Sequence, residues 1–201
     1  MVNKLRIGVV GFQGAVSEHV YIMKKTLKKE NIPGEVFAVK QISDLDNIDG
    51  VILPGGESTT ISKFLHRSGL YKEIHSLVKK DNLPLMGTCA GCVLLAKEVI
   101  DPSDDVKLLK LMDIKVKRNA FGRQRESFEK DIHIEGFTKP FHAVFIRAPI
   151  IEKTWGDCKP MAMIGDKIVM AKQGNILALS FHPELTNDLR IHKYFLKLVV
   201  K

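Results

Sequence analysis

The feature that most constrains this chain is an alternation of hydrophobic periods. Leu5 to Gly11 is a short apolar run ending in glycine, as a strand buried on both faces requires, and Val16, Val20, Met23 and Leu27 then follow helical spacing. Val36 to Val39 and Gly50 to Leu53 read as further short strands, bounded by Gly, Pro or Asp, before Leu70, Ile74, Leu77 and Val78 return to the helical period. Pro84 to Gly87 is a fourth strand candidate, and Ala90 to Glu98 is predicted as a helix because it holds good helix formers and no proline. Alternating β and α elements predict an α/β fold: a mostly parallel, doubly wound sheet flanked by helices. Ligands of such sheets sit beyond the carboxyl ends of the strands.

The second half reads differently. Ile114 to Val116, Phe128 to Ile134, Ala143 to Ile146, Lys167 to Ala171 and Ile176 to Phe181 are strand-like, so this half is expected to be β-rich. Ile191, Tyr194, Phe195, Leu198 and Val199 form one apolar stripe at i, i+3, i+4, i+7 and i+8, which predicts a closing amphipathic helix. With 201 residues, 45% of them hydrophobic, and no linker or repeat, residues 1–201 are expected to form a single domain.

Composition narrows the function classes. No eighteen apolar residues run together and no signal-peptide pattern follows the first apolar run, so a cytoplasmic protein without membrane attachment is expected. Three cysteines, Cys89, Cys92 and Cys158, make a poor disulfide framework and fit a reducing compartment. The net charge of +8 raises nucleic acid as a partner, but 24 of the 31 basic residues are Lys, scattered among carboxylates. A solvated lysine-rich surface, with no nucleic-acid partner, is the expectation.

Gly87-Thr88-Cys89-Ala90-Gly91 joins the Pro84 strand to the helix after it, and G-x-C-x-G matches the form of a nucleophile elbow with sulfur in place of oxygen. The glycines permit the sharp turn, and the turn sets Cys89 at a helix N-terminus, where partial positive charge favours a thiolate. A small buried hydrophobe is the ordinary role of an intracellular cysteine, and Cys89 with Cys92 also forms C-x-x-C, the pattern of redox exchange or of half a zinc site. The isolated Cys158 offers no second pair, so no metal is expected and Cys92 is assigned to helix packing.

Phe181-His182-Pro183-Glu184 follows the last apolar strand and places a histidine and a carboxylate beyond its carboxyl end. A residue before proline is pushed toward extended dihedrals, which predicts that His182 and Glu184 project to one side as base and orienter. In a Cys-His-acid arrangement the histidine takes the thiol proton and the acid fixes the ring's tautomer. The other six histidines, His19, His66, His75, His133, His142 and His192, are given no catalytic role.

Leu53 to Thr59 supplies Gly55 and Gly56, whose backbone N–H groups are candidates for an oxyanion hole with that of Ala90. A phosphate loop is the rival, but the segment has no P-loop lysine and carries Glu57. Arg118, Arg123, Arg125 and Arg147 are four of the seven arginines, and a guanidinium is a natural clamp for a substrate carboxylate. RNA binding competes with that role, but Glu126 and Glu129 beside the cluster and the lack of interleaved aromatics favour the clamp.

G-T-C-A-G with F-H-P-E resembles the class I glutamine amidotransferases. Gly11-Phe12-Gln13-Gly14-Ala15 with Glu18-His19, then L-P-G-G-E-S-T-T, R-N-A-F-G-R-Q, S-F-E, F-I-R-A-P and F-H-P-E-L-T, narrow the likeness to the glutaminase subunits of pyridoxal 5'-phosphate synthase. Most class I relatives carry glutamine four positions after the nucleophile, whereas Val93 stands there, as an aliphatic residue does in the vitamin B6 subunits. Phe12 replaces a common leucine and Cys92 a common aliphatic residue, both packing-type changes.

The resemblance implies a flavodoxin-like fold of the class I glutamine amidotransferase type, with Cys89, His182 and Glu184 as the triad. It implies glutamine held by Gly56, Glu57, Ser58, Arg118 and the Ile146-Arg147 pair, with no cofactor. It further implies a separate synthase subunit, a (β/α)8 barrel that consumes the ammonia in a hetero-oligomer, with Gln13 and Gly14 completing the oxyanion hole on docking. A different class is a cysteine-dependent stress or deglycase protein of similar α/β shape, which has no need of the His-Pro-Glu pair.

Overall fold

The computed structural model describes residues 4–100, 106–118, 120 and 127–200. Arg123, Arg125 and Glu126 lie outside the described residues. The first half follows the alternation closely: β1 (Leu5–Val10), α1 (Val16–Lys29), β2 (Gly34–Val39), a 3-10 turn (Ile42–Leu45), β3 (Gly50–Leu53), α2 (Ser58–Arg67), α3 (Leu70–Asp81), β4 (Leu85–Thr88) and α4 (Ala90–Leu95). The strands β5 (Ala96–Ile100), β6 (Met112–Lys117), β7 (Ser127–Ile132), β8 (Phe141–Ile146), β9 (Ile150–Thr154), β10 (Lys159–Ile164), β11 (Lys167–Gln173) and β12 (Ile176–Leu179) follow. A 3-10 turn (Pro183–Leu185) and α5 (Arg190–Val199) close the chain.

Neighbours in the main sheet run β2-β1-β3-β4-β12-β11-β9-β6-β5, with β10 on β11. The first five are parallel throughout, β2 to β1, β1 to β3, β3 to β4 and β4 to β12, in the order of a flavodoxin-like sheet. Beyond β12 the neighbours β11, β9 and β6 pair antiparallel. The parallel description thus holds for the half that carries the strand-end motifs, and the strand-rich half makes the sheet mixed.

Two apolar layers cover the sheet, and single strands feed both. Val51 and Leu53 pack with Ile61, Leu65, Leu70 and Ile74 of α2 and α3 on one face, while Ile52 between them packs with Met23, Leu27, Ile191 and Phe195 of α1 and α5 on the other. This period-two division is why continuous apolar runs form the parallel strands. The predicted stripe of α1 is rotated in the structure: Met23 and Leu27 are buried, Val16 and Val20 only partly, and His19 and Thr26 complete the inner face.

One expectation requires correction. The helix predicted over Ala90 to Glu98 stops at Leu95, and Ala96 turns into β5, where β-branched Val99 and Ile100 pair with β6. Ser58 to Arg67 form the ten-residue helix α2, started by Glu57, whose carboxylate accepts the Thr59 and Thr60 N–H groups at 3.0 and 2.6 Å. Among the described residues no helix is long and apolar enough to cross a membrane.

Candidate active site

Cys89 stands between β4 and α4 with φ 48° and ψ −103°, a strained backbone for a residue with a side chain. Its N–H donates to Leu179 O at 2.8 Å, tying the turn to β12. The turn closes only because Gly91 lacks a side chain: a Cβ there would overlap the carbonyl of Leu53 on β3. The helix behind Cys89 has six residues, so its dipole is shorter than the sequence predicts, and the environment of the thiol depends more on its side-chain neighbours.

His182 arrives from the other side of β4. The chain leaving β12 is anchored by Phe181, which is fully buried and lies 5.7 Å, centroid to centroid, from both Phe141 and Phe145 of β8. The His182 N–H donates to Val144 O at 2.8 Å. Pro183 to Leu185 form a 3-10 turn, and the turn brings Glu184 Oε1 to 2.6 Å from His182 Nδ1. The carboxylate accepts the Nδ1 proton, which leaves Nε2 as the ring nitrogen for the thiol.

Electrostatics favour a charged histidine. Burial alone would lower the His182 pKa, but its hydrogen bonds with Cys89 and Glu184 outweigh burial and push it up to about 10. Burial would likewise raise the Glu184 pKa, but His19 and His182 beside it hold it below the usual value. Cys92 is fully buried, and burial raises its thiol far above the ordinary range; Cys158 is pushed up to about 12 by burial and by Asp113. These two are packing thiols.

A cavity of about 440 Å³ opens over Cys89 and His182, lined by Gln13, Gly56, Glu57, Ser58, Ala90, Val93, Arg118, Ile146, Arg147 and Pro149. Gly56, Glu57, Ser58, Arg118, Ile146 and Arg147, to which the resemblance assigns glutamine, therefore border one space. Val93 and Pro149 join it without having been predicted. Gly55 sits beneath: a Cβ there would overlap His182 Cε1 and lie 3.3 Å from Cys89 Cβ, so only glycine fits between nucleophile and base.

Gln13 and Gly14 pack against the same loop. Gln13 Oε1 accepts the Glu57 N–H at 2.7 Å, and the Ala15 N–H donates to Gly55 O at 3.0 Å. Glu57 borders the cavity while its oxygens cap α2. Burial would raise its pKa, but the hydrogen bonds from Thr60 and Thr59 lower it to about 2, so it stays ionised with lone pairs to spare for a cation. Arg147 has φ 43°, another strained position, and Ile146 O lies 3.8 Å from Cys89 Sγ, within reach of the S–H.

The sequence gives no role to His19 or His192, yet both lie buried behind Glu184. His19 Nε2 is 3.3 Å from Glu184 Oε2, and its Nδ1 is 3.3 Å from His192 Nε2. The available signal was the position of His19 and His192 on the inner faces of two amphipathic helices, where a polar side chain requires a buried partner.

Comparison with known proteins gives the family of the chain. Residues 9–201 match the model of the SNO glutamine amidotransferase family. The chain is 50% identical over 197 residues to the pyridoxal 5'-phosphate synthase subunit PdxT of Pyrococcus furiosus, covering 98% of this chain and 100% of that protein. It is 51% identical over 205 residues to PdxT of Staphylothermus marinus, with the same coverage. A crystal structure of a glutamine amidotransferase superposes with a TM-score of 0.86 at 42% identity, over 97% of this chain and 99% of that one. A second, from Thermotoga maritima, has a TM-score of 0.64 at 13% identity over 98% and 97%, and shares the fold. The stress or deglycase alternative is not favoured by any of these likenesses. From motif order, sheet topology and full-length identity alike, the chain belongs to the SNO glutamine amidotransferase family.

Proposed function

We propose that the chain hydrolyses L-glutamine to L-glutamate and ammonia, with residues 1–201 acting as one glutaminase domain. The observation that carries this reading is the convergence of Cys89, His182 and Glu184 under a cavity bordered by Arg118, Arg147 and Glu57. The arginines offer cations for the α-carboxylate of glutamine, and Glu57 offers an acceptor for its α-ammonium.

His182 takes the Cys89 proton, and the sulfur attacks the side-chain amide carbon. The backbone N–H groups near Gly55, Gly56 and Ala90, completed by the Gln13-Gly14 segment, receive the oxyanion. The imidazolium then protonates the departing nitrogen, ammonia leaves, and a γ-glutamyl thioester remains. Water attacks the thioester with His182 as base, releasing glutamate and restoring the thiol. Glu184 keeps the proton of His182 on Nδ1 throughout, so that Nε2 does the transfer.

The relatives are named as subunits of pyridoxal 5'-phosphate synthase. On that basis the ammonia is delivered to a separate synthase subunit, a (β/α)8 barrel, in a cytoplasmic hetero-oligomer that makes pyridoxal 5'-phosphate. An oxyanion donor is worth about 2.7 to 4 kcal/mol, so a hole completed only on docking would leave the isolated chain nearly idle. Ammonia release from glutamine, measured with and without the cognate synthase subunit, tests substrate and partner together. Strong stimulation by the partner is expected; no glutamine turnover in the mixture contradicts the reading.

A further inference from the structure

Behind the triad, away from the cavity, the polar chain continues into the core. His19 of α1 and His192 of α5 are both fully buried, and so is Thr88, the residue before Cys89. His19 Nε2 lies 3.0 Å from Thr88 Oγ1 and 3.3 Å from Glu184 Oε2, and its Nδ1 lies 3.3 Å from His192 Nε2. Glu184 Oε2 and His192 Nδ1 make no hydrogen bond among the described residues, so His19 is the polar side chain set against the free oxygen of the acid.

One assignment of protons is consistent with all these distances. A carboxylate only accepts, so His19 carries its proton on Nε2, toward Glu184 and Thr88, and its Nδ1 accepts from His192 Nε2–H. Both rings are then neutral, in keeping with burial, which lowers the pKa of each; for His19 burial outweighs the opposing pull of Glu184. The titratable groups facing His19 are Glu184 and His182 from the turn after β12, His192 from α5, and Glu18 beside it on α1.

We propose that His19 is a positioning residue for the reaction: its Nε2, hydrogen-bonded to Thr88 Oγ1, lies against the second oxygen of Glu184, holds that carboxylate ionised and aimed at His182, and so registers the acid against the turn that presents Cys89. The proposal rests on the triad reading above. Without this ring, a buried carboxylate loses the group opposite its unpaired oxygen; it then turns away or takes up a proton, and His182 loses the partner that keeps it charged.

The test uses the complex with the cognate synthase subunit and four variants, His19→Leu, His19→Gln, His192→Phe and Cys89→Ala, with folding checked by circular dichroism. His19→Leu is expected to lower kcat roughly ten- to a hundredfold with KM little changed, the loss usual for an outer partner of an active-site group. The basic limb of its pH–kcat profile should move to lower pH, and His19→Gln, which keeps an N–H near the Nε2 position, should recover most of both. His192→Phe removes the donor that fixes the tautomer of His19 and should show a smaller shift in the same direction. If His19→Leu does not fold, His192→Phe decides the matter. Parental kcat and pH profile in the folded variant that decides, or a His19→Gln variant no better than His19→Leu, overturns the proposal. Glutamine hydrolysis by Cys89→Ala would instead overturn the triad itself, so the two failures are told apart.

Discussion

The parallel half of the sheet and its antiparallel extension divide the site between them. From β1, β3, β4 and β12 come Gln13, the Gly55-Gly56 loop, Cys89 and His182, all at strand carboxyl ends, where backbone direction alone brings four loops together. The extension and the separate β7–β8 ribbon supply Arg118, Ile146, Arg147 and Pro149, a wall over those loops, and the ribbon grips the base through Phe141, Phe145 and the Val144 carbonyl. Chemistry thus lies on the half whose geometry is forced by topology, which also offers Glu57 to the substrate ammonium, and the cations that read the substrate carboxylate lie on the other half. Changes at the nucleophile and base should act on kcat and changes at the arginines on KM.

The sharpest way to break that division begins at the nucleophile. Cys89→Ala should abolish ammonia release while leaving the fold intact by circular dichroism, the largest effect expected. Gly55→Ala follows: the new methyl group displaces His182 from Cys89, and a misplacement of about 1 Å costs on the order of a hundredfold, seen as a fall in kcat. On the other half, Arg118→Gln and Arg147→Gln should raise the KM for glutamine roughly ten- to a hundredfold each with kcat nearly preserved, since a hydrogen bond to a charged group is worth about 1.5 to 3 kcal/mol. A reversed pattern, with the arginines acting on kcat and Gly55 on KM, would dissolve the comparison.

Smaller effects sharpen it. Glu57→Gln weakens the cap of α2, and thermal melting should show a loss of about 1 kcal/mol, the usual value of an N-cap. Because folding lowers the Glu57 pKa to about 2, the stabilisation is present above its ordinary value near 4.5 and is lost as pH falls from there toward 2; the variant and parent should converge in that window. His142 on the ribbon, whose pKa is raised by the hydrogen bonds it donates to Glu129 and Asp131, is exposed, and His142→Ala should leave turnover unchanged. Its small stabilisation is present below pH 6.5 and fades as pH rises through the raised folded pKa.

Legibility in the sequence followed the same boundary. The strands β1, β3 and β4 were readable because each is a continuous apolar run, and the elbow because Gly91 is demanded by contact with β3 and Gly87 by contact with α4. The extension was harder: β9 and β10 have only partial apolar patterns, with Glu152, Lys153 and Lys159 exposed to water. Its antiparallel pairing was nevertheless signalled by Gly165-Asp166 and Gly174-Asn175, two-residue turns in which Gly165 and Gly174 take φ 60° and 55°, joining β10 to β11 and β11 to β12. The buried histidines behind Glu184 were not legible, because sequence spacing does not say that positions 19 and 192 meet across α1 and α5.

The most direct test of the central claim is to treat the complex with a glutamine analogue carrying an alkylating group in place of the amide and locate the label by peptide mass spectrometry. One label on Cys89, none on Cys92 or Cys158, and protection by glutamine is the result expected from a sulfur that borders the cavity beside His182, with the other two thiols buried away from it. A label on either other cysteine, or inactivation with Cys89 unmodified, would contradict it.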